Sequence, residues 1–266
     1  MKQFSVTAMP GFAFIAILGF VMLYVPILTL VTYSFNGADS MTSWGGFSWR
    51  WYEAAWANKD VQAATIRSLV IASWATLISI LVATPVALAT TRTGNFRGRN
   101  FIYLYTNQTL VVPEIVPAVA LLIFFAAIKV QTGYQGLGYL IAAHTMWCIP
   151  LAYLPIRARL EGMDLSLETA AADLYASRWQ TLRYVTLPLL MPGILAGAML
   201  CFITSLDTVV ITEFVKSGGQ ETLATYMLGQ FRRGITAEIN AISTILLVLT
   251  IVLLFGFFFL TKKRAS

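Results

Sequence analysis

Apolar residues occur along this chain in six long runs separated by polar segments. The runs fall at about residues 10–34, 64–90, 101–128, 137–156, 187–209 and 240–260. Each reaches the ~20 residues that an α-helix needs to cross a ~30 Å hydrocarbon core. With 58% hydrophobic and 11% charged residues in a chain of 266, the composition is too apolar for a soluble domain. The pattern therefore predicts an all-α membrane protein with six transmembrane helices in a single domain, residues 1–266.

Between the fourth and fifth runs lies a polar insertion, residues 157–186, that is far longer than a tight connection between two spans. It holds four arginines and four acids, namely Arg157, Arg159, Arg178, Arg183, Glu161, Asp164, Glu168 and Asp173. Its alanines have a strong preference for helix. A mixed-charge, helix-forming insertion of this size predicts an element that a partner protein binds on one side of the membrane.

Lysine and arginine counts predict the orientation, because cytoplasmic loops of membrane proteins carry an excess of these residues. With both termini in the cytoplasm, eleven basic residues lie inside, namely Lys2, Arg92, Arg97, Arg99, Arg157, Arg159, Arg178, Arg183, Lys262, Lys263 and Arg264. Seven lie outside, namely Arg50, Lys59, Arg67, Lys129, Lys216, Arg232 and Arg233. The polar insertion is then cytoplasmic. The formal charge of +6 reflects this orientation and does not indicate a nucleic-acid partner.

The sequence has few residues that could perform bond chemistry. It lacks the GxxxxGK[ST] motif that cradles nucleotide phosphates. His144, the one histidine, lies in an apolar run and is expected to be a packed, hydrogen-bonded ring. Cys148 and Cys201 show no metal-ligand spacing, and we expect packed thiols without a disulfide. We therefore expect a protein that is not an enzyme and that has no catalytic or metal-ligating residues.

Two acids lie inside the predicted spans. Glu114 and Asp207 are expected in the outer half of the bilayer, ~21 Å and ~27 Å from the cytoplasmic end of their helices at ~1.5 Å per residue. Carboxylates in such positions usually face a cavity or a partner. Pro113 and Pro117 should loosen the helix around Glu114 and free carbonyl groups to line a cavity. Either the two acids attract a cation, or each is buried against donors of a partner subunit.

Four aromatic residues of the spans, Tyr103, Tyr105, Trp147 and Tyr153, could offer cation–π faces, although ordinary packing is the alternative for each.

The polar insertion resembles the EAA loop of permease subunits in ABC importers, whose pattern is E-A-A, three residues, G, a fixed gap and L-P. The matching positions are Ala170, Ala171, Asp173, Leu174, Ala176, Ser177, Leu187 and Pro188. Thr169 stands at the usual glutamate, with Glu168 one residue earlier, and Tyr175 stands at the usual glycine. That glycine normally supplies a turn with positive φ, which costs a tyrosine more. Either Tyr175 uses a different turn geometry, or its ring adds contact with the partner.

The resemblance covers nearly the whole chain. Four further segments resemble spermidine/putrescine permeases, and the match is closest to the second of that family's two permease subunits. These segments are Ser34-Phe35-Asn36, Pro113-Glu114-Ile115-Val116, Ser205-Leu206-Asp207 and Glu238-Ile239-Asn240-Ala241. It implies a type I importer fold in the bacterial inner membrane, with a cytoplasmic coupling-helix loop between spans four and five. The ATPase-coupling residues that it implies are Glu168, Thr169, Ala170, Ala171, Tyr175, Ala176, Ser177, Leu187 and Pro188. Glu114 and Asp207 would line the substrate pathway.

The same resemblance implies uptake of a small cationic solute, a polyamine, by alternating access. The implied partners are a second, different permease subunit, two copies of a cytoplasmic ABC ATPase that bind ATP and Mg²⁺, and an external solute-binding protein. No cofactor is expected on this chain. One alternative keeps this architecture with another small solute, such as an amino acid derivative or a quaternary amine. A second alternative is a self-contained secondary transporter.

Overall fold

The computed structural model describes residues 10–39, 43–233 and 237–262, so that Lys2, Lys263 and Arg264 of the predicted orientation lie outside the described residues. Within these ranges the regular structure is helical apart from one isolated β-bridge between Asn36 and Phe47. The helices are α1 (Pro10–Tyr33), α2 (Arg50–Ala57), α3 (Lys59–Arg92), α4 (Arg99–Val111), α5 (Ile115–Thr132), α6 (Gly138–Glu161), α7 (Ser166–Asp173), α8 (Arg178–Thr181), α9 (Leu187–Asp207), α10 (Val210–Val215), α11 (Leu223–Arg233) and α12 (Ala237–Lys262). A π-helical turn, Leu182–Thr186, joins α8 to α9.

Six helical segments of the described chain are long and apolar enough to cross a membrane. They are Ala13–Tyr33, Lys59–Arg92, Ile115–Thr132, Gly138–Glu161, Arg178–Asp207 and Ala237–Gly256. The all-α class and the number of spans predicted from the apolar runs are thus confirmed.

The third apolar run does not form the single helix predicted over residues 101–128. Helix α4 ends at Val111 and α5 begins at Ile115, with Val112 in an extended conformation at φ −90° and ψ 125°. The break follows from Pro113, because a residue that precedes proline is disfavoured in the α region. Pro117 lies in the first turn of α5, and the helix continues through it. Backbone N–H groups in the first turn have no intrahelical acceptor, so proline loses no hydrogen bond there. Only one of the two prolines interrupts the span.

Contacts divide the described chain into two compact units, and the larger one contains residues 60–228 and 250–262. Its core lies where α6 packs against α9. At Gly197 a Cβ atom would come within 2.9 Å of the Ala152 carbonyl oxygen, so the two backbones are close. One turn away, the buried Cys148 thiol donates to the carbonyl of Cys201 at 3.5 Å and the Cys201 thiol donates to that of Cys148 at 3.1 Å. Both thiols are free and packed, as predicted.

The smaller unit contains the described residues of 10–59 and 229–249. Its loop after α1 is organised by the buried Asn36, whose side-chain oxygen accepts from Gly45 N–H at 2.7 Å and whose amide donates to the carbonyl of Ser43 at 2.8 Å. The rings of Phe47, Trp49 and Tyr52 lie 5.0–5.2 Å from that of Phe35, measured between centroids. The Ser34-Phe35-Asn36 segment therefore forms the centre of a folded loop.

Candidate functional site

The polar insertion folds as a short helix, a turn and a second short helix. Helix α6 extends to Glu161, beyond the predicted boundary at 157, where Arg157 Nε pairs with Glu161 Oε1 at 2.8 Å one turn along the helix. The Ser166 N–H at the start of α7 donates to Asp164, and this bond holds the pKa of the Asp164 carboxyl below its usual range. Ser177 caps α8 in a capping box with Gln180.

Tyr175 adopts the positive φ that the resemblance to the EAA loop implies for a glycine at this position. Its φ is 58°, and it is the only non-glycine residue with positive φ in the described part of the chain. The alternative of a different turn geometry is therefore wrong. The tyrosine side chain is 97% exposed, beside Leu174 at 82% exposure. A large apolar surface at this turn is free to contact another protein.

The predicted coupling residues divide into two sets by burial. Those exposed to solvent are Thr169, Ala170, Tyr175, Ser177 and Pro188, and those half-buried are Glu168, Ala171, Ala176 and Leu187. The exposed set is not covered by the rest of the described chain. In the half-buried set, Glu168 bonds to Arg92 and Thr186, two contacts that no sequence signal indicated because the partners lie 76 and 18 residues away.

Glu114 and Asp207 lie at the interruptions of two spanning helices. Glu114 directly precedes α5, and Asp207 is the last residue of α9. The backbone N–H of Ile211 in α10 and the carboxylate of Asp207 both lie near enough to influence the Glu114 carboxyl electrostatically. Glu114 Oε1 is buried and has no hydrogen-bond partner among the described residues, whereas Asp207 is exposed. The structure thus brings together two acids from separate apolar runs.

An apolar cavity of 610 Å³ has walls from α4, α5, α6 and α10. Val112 and Val116, two residues on either side of Glu114, line it, whereas the two acids do not. Its lining includes Phe101, Tyr105, Phe124, Met146, Trp147 and Ile211. Of the four predicted cation–π aromatics, Tyr103 and Tyr153 already face a cation of this chain. The Arg157 guanidinium lies 4.9 Å from the Tyr103 ring centroid and 6.0 Å from the Tyr153 ring centroid. Tyr105 and Trp147 are therefore the aromatic residues of the predicted four that line the cavity.

His144 is the packed, hydrogen-bonded ring predicted. Its Nδ1 lies 2.7 Å from Ser205 Oγ, and its Nε2 lies 2.9 Å from Thr212 Oγ1. The Thr212 hydroxyl donates to the carbonyl of Thr208 at 2.7 Å, so it accepts from Nε2–H. The ring joins α6 to α9 and α10 on either side of Asp207, and no sequence pattern indicated these partners.

The sequence is similar to known transport permeases. It matches the family model described as "Binding-protein-dependent transport system inner membrane component" over residues 75–263. It is 35% identical over 250 residues to the putrescine transport system permease protein PotI of Escherichia coli, covering 93% of this chain and 89% of the relative. It is 36% identical over 242 residues to the spermidine/putrescine transport system permease protein PotC of Haemophilus influenzae, covering 91% and 93%.

Solved structures share the fold. A bacterial ABC transporter involved in the import of the acidic polysaccharide alginate aligns with a TM-score of 0.73 at 14% identity, covering 96% of this chain and 95% of that chain. The MetNI methionine ABC transporter aligns with a TM-score of 0.64 at 19% identity, covering 76% and 94%. The chain belongs to the family of binding-protein-dependent transport system inner membrane components, the permease subunits of ABC importers.

Proposed function

We propose that this permease carries a small organic cation of the polyamine class across the bacterial inner membrane. The observation that carries the proposal is that Glu114 and Asp207, at two helix interruptions, lie near enough to influence each other electrostatically, with an aromatic cavity next to the chain neighbours of Glu114. The transport systems named for the relatives PotI and PotC support the same substrate class.

The chemistry of the pair suits a protonated amine. A buried carboxylate oxygen without a hydrogen-bond partner, as at Glu114 Oε1, raises the free energy of a protein. An ammonium group supplies both the opposite charge and N–H donors. A diamine or triamine has two or more such groups separated by methylenes, which suits two acids next to an apolar wall. A neutral or anionic solute would leave the buried oxygen of Glu114 uncompensated.

The proposed assembly has two permease subunits, this chain and a second, different one. The polar insertion and both termini face the cytoplasm, where two copies of an ATPase bind ATP and Mg²⁺ and dock on the permeases. The exposed Ala170, Leu174 and Tyr175 form the docking surface on this chain. An external binding protein delivers the solute, and ATP binding converts the shared cavity from inward-facing to outward-facing. This chain has no ATPase role of its own.

Uptake by the reconstituted complex tests the proposal. The two permeases, the ATPase and the binding protein are placed in proteoliposomes, and accumulation of labelled putrescine and spermidine is measured with and without ATP. We expect ATP-dependent uptake of a polyamine and none of an amino acid derivative or a quaternary amine at equal concentration. Uptake of those solutes in preference to polyamines would establish the first alternative. Uptake by this chain without the ATPase would establish the self-contained transporter.

A further inference from the structure

Glu168 lies on the helix of the polar insertion, but its carboxylate bonds to the ends of spanning helices. It accepts from Arg92 Nε at 3.3 Å and from Thr186 Oγ1 at 3.1 Å. Arg92 is the last residue of α3, and Thr186 directly precedes α9. The Nη1 of Arg92 also donates to the carbonyl of Leu160 at 3.3 Å, near the end of α6. These contacts join α7 to the ends of three spanning helices.

The environment of this ion pair favours a strong contact. The side chains of Arg92 and Glu168 are each only 22% exposed, and Thr186 is buried. Charges that are partly removed from water attract each other more strongly than charges on an open surface. Arg92 Nη2 is buried with no hydrogen-bond partner among the described residues, so Glu168 provides the counter-charge of this guanidinium.

We infer that Arg92, Glu168 and Thr186 form a brace that makes α7 and the ends of α3, α6 and α9 move as one body. The inference rests on the proposed docking of an ATPase on this loop. It makes Glu168 a positioning residue, while the exposed Ala170 and Tyr175 contact the partner. A force on the exposed side of α7 is then transmitted to the spanning helices through the Glu168 contacts, which bypass the non-helical segments on either side of α7.

Charge exchange tests the brace in the complete complex in proteoliposomes. Arg92→Glu and Glu168→Arg are each expected to lower solute uptake per ATP hydrolysed about tenfold, since a like-charge pair opens the contact. The double variant should return to within about threefold of the unchanged protein. Arg97→Glu, at an exposed arginine in the loop that follows α3, is the matched control and should have little effect. Full activity in both single variants, or no recovery in the double variant, would overturn the brace.

A cross-link separates a brace from a hinge. In a variant that carries both Arg92→Cys and Glu168→Cys, a bifunctional thiol reagent about as long as the two original side chains joins the cysteines. Uptake by the cross-linked complex should stay within about twofold of uptake by the same variant without the cross-link. A cross-linked complex that binds ATP but no longer transports would show that the two residues move apart, contrary to the inference. A failure of the proposed docking would be seen in a different experiment. The Ala170→Glu variant would then still bind the ATPase, whatever the charge-exchange variants show about the brace.

Discussion

Glu114 has a buried carboxylate oxygen without a partner, and the Glu114→Gln substitution keeps its shape while removing its charge. If the acid attracts a cation, we expect the KM for polyamine uptake to rise roughly ten- to hundredfold, since one partly desolvated charge contact is worth on the order of 1–3 kcal/mol. Asp207→Asn should act in the same direction. The measurement is uptake against concentration in proteoliposomes with the binding protein held constant. Unchanged KM in both variants, or poor assembly with normal KM, would assign these acids a structural role instead.

Tyr175 combines a strained backbone with an exposed ring, and substitution separates the two properties. Tyr175→Gly removes the cost of the left-handed conformation, about 1–2 kcal/mol, but also removes the ring. Tyr175→Asp removes the ring and places a charge on the docking surface. We expect the glycine variant to retain more ATPase binding and uptake than the aspartate variant, by copurification and transport assay. Equal losses in both would mean that the ring itself is required.

At the scale of one element, α7 offers a direct test of docking. Ala170 is exposed, so Ala170→Glu leaves the packing of this chain intact but should clash in a partner groove built for a methyl group. Overpacking and desolvation at such a contact cost a few kcal/mol. We expect normal insertion with loss of the ATPase on copurification. Gly94→Glu, in the loop after α3 where a Cβ atom meets nothing within 4 Å, is the control.

A second prediction concerns how closely α6 packs against α9. Gly197→Ala adds a Cβ atom 2.9 Å from the Ala152 carbonyl oxygen, a contact that the two backbones must relieve. We expect a loss of about 1–3 kcal/mol in stability, seen as a lower melting temperature of the complex in detergent. Gly19→Ala, in α1 where nothing lies within 4 Å of the added atom, should have little effect. Equal melting temperatures for the two variants would mean that the helices part easily.

At the scale of the whole molecule, the orientation can be read from the labelling of single cysteines. Cysteines at Gly94 and Ser166 should be protected from an impermeant thiol reagent in intact cells, while one at Gly218 should react. Gly94 suits a cysteine better than Gly98 in the same loop, where a φ of 97° would strain the substituted residue. The two native cysteines are buried and should contribute no background. External labelling at Ser166 would reverse the topology and remove the basis for ATPase docking on the polar insertion.

The amino-acid sequence by itself determined the fold class, the six spans and the position of the polar insertion. These properties are local, since an apolar run of sufficient length must form a helix in hydrocarbon to satisfy its backbone. Local patterns also indicated the family, the two acids and the glycine position that Tyr175 occupies. The break before Pro113 is also a local property, because proline disfavours the helical conformation of the residue that precedes it.

Only the tertiary structure decided how residues from separate runs meet. The Arg92–Glu168 pair, the His144 bonds to α9 and α10, and the proximity of Glu114 to Asp207 all join positions more than 60 residues apart. Composition and periodicity carry no information on such pairings, because the rotation of each helix about its axis is fixed by packing against its neighbours. That packing places Glu168 in a brace between helices, although its neighbours in the sequence are exposed.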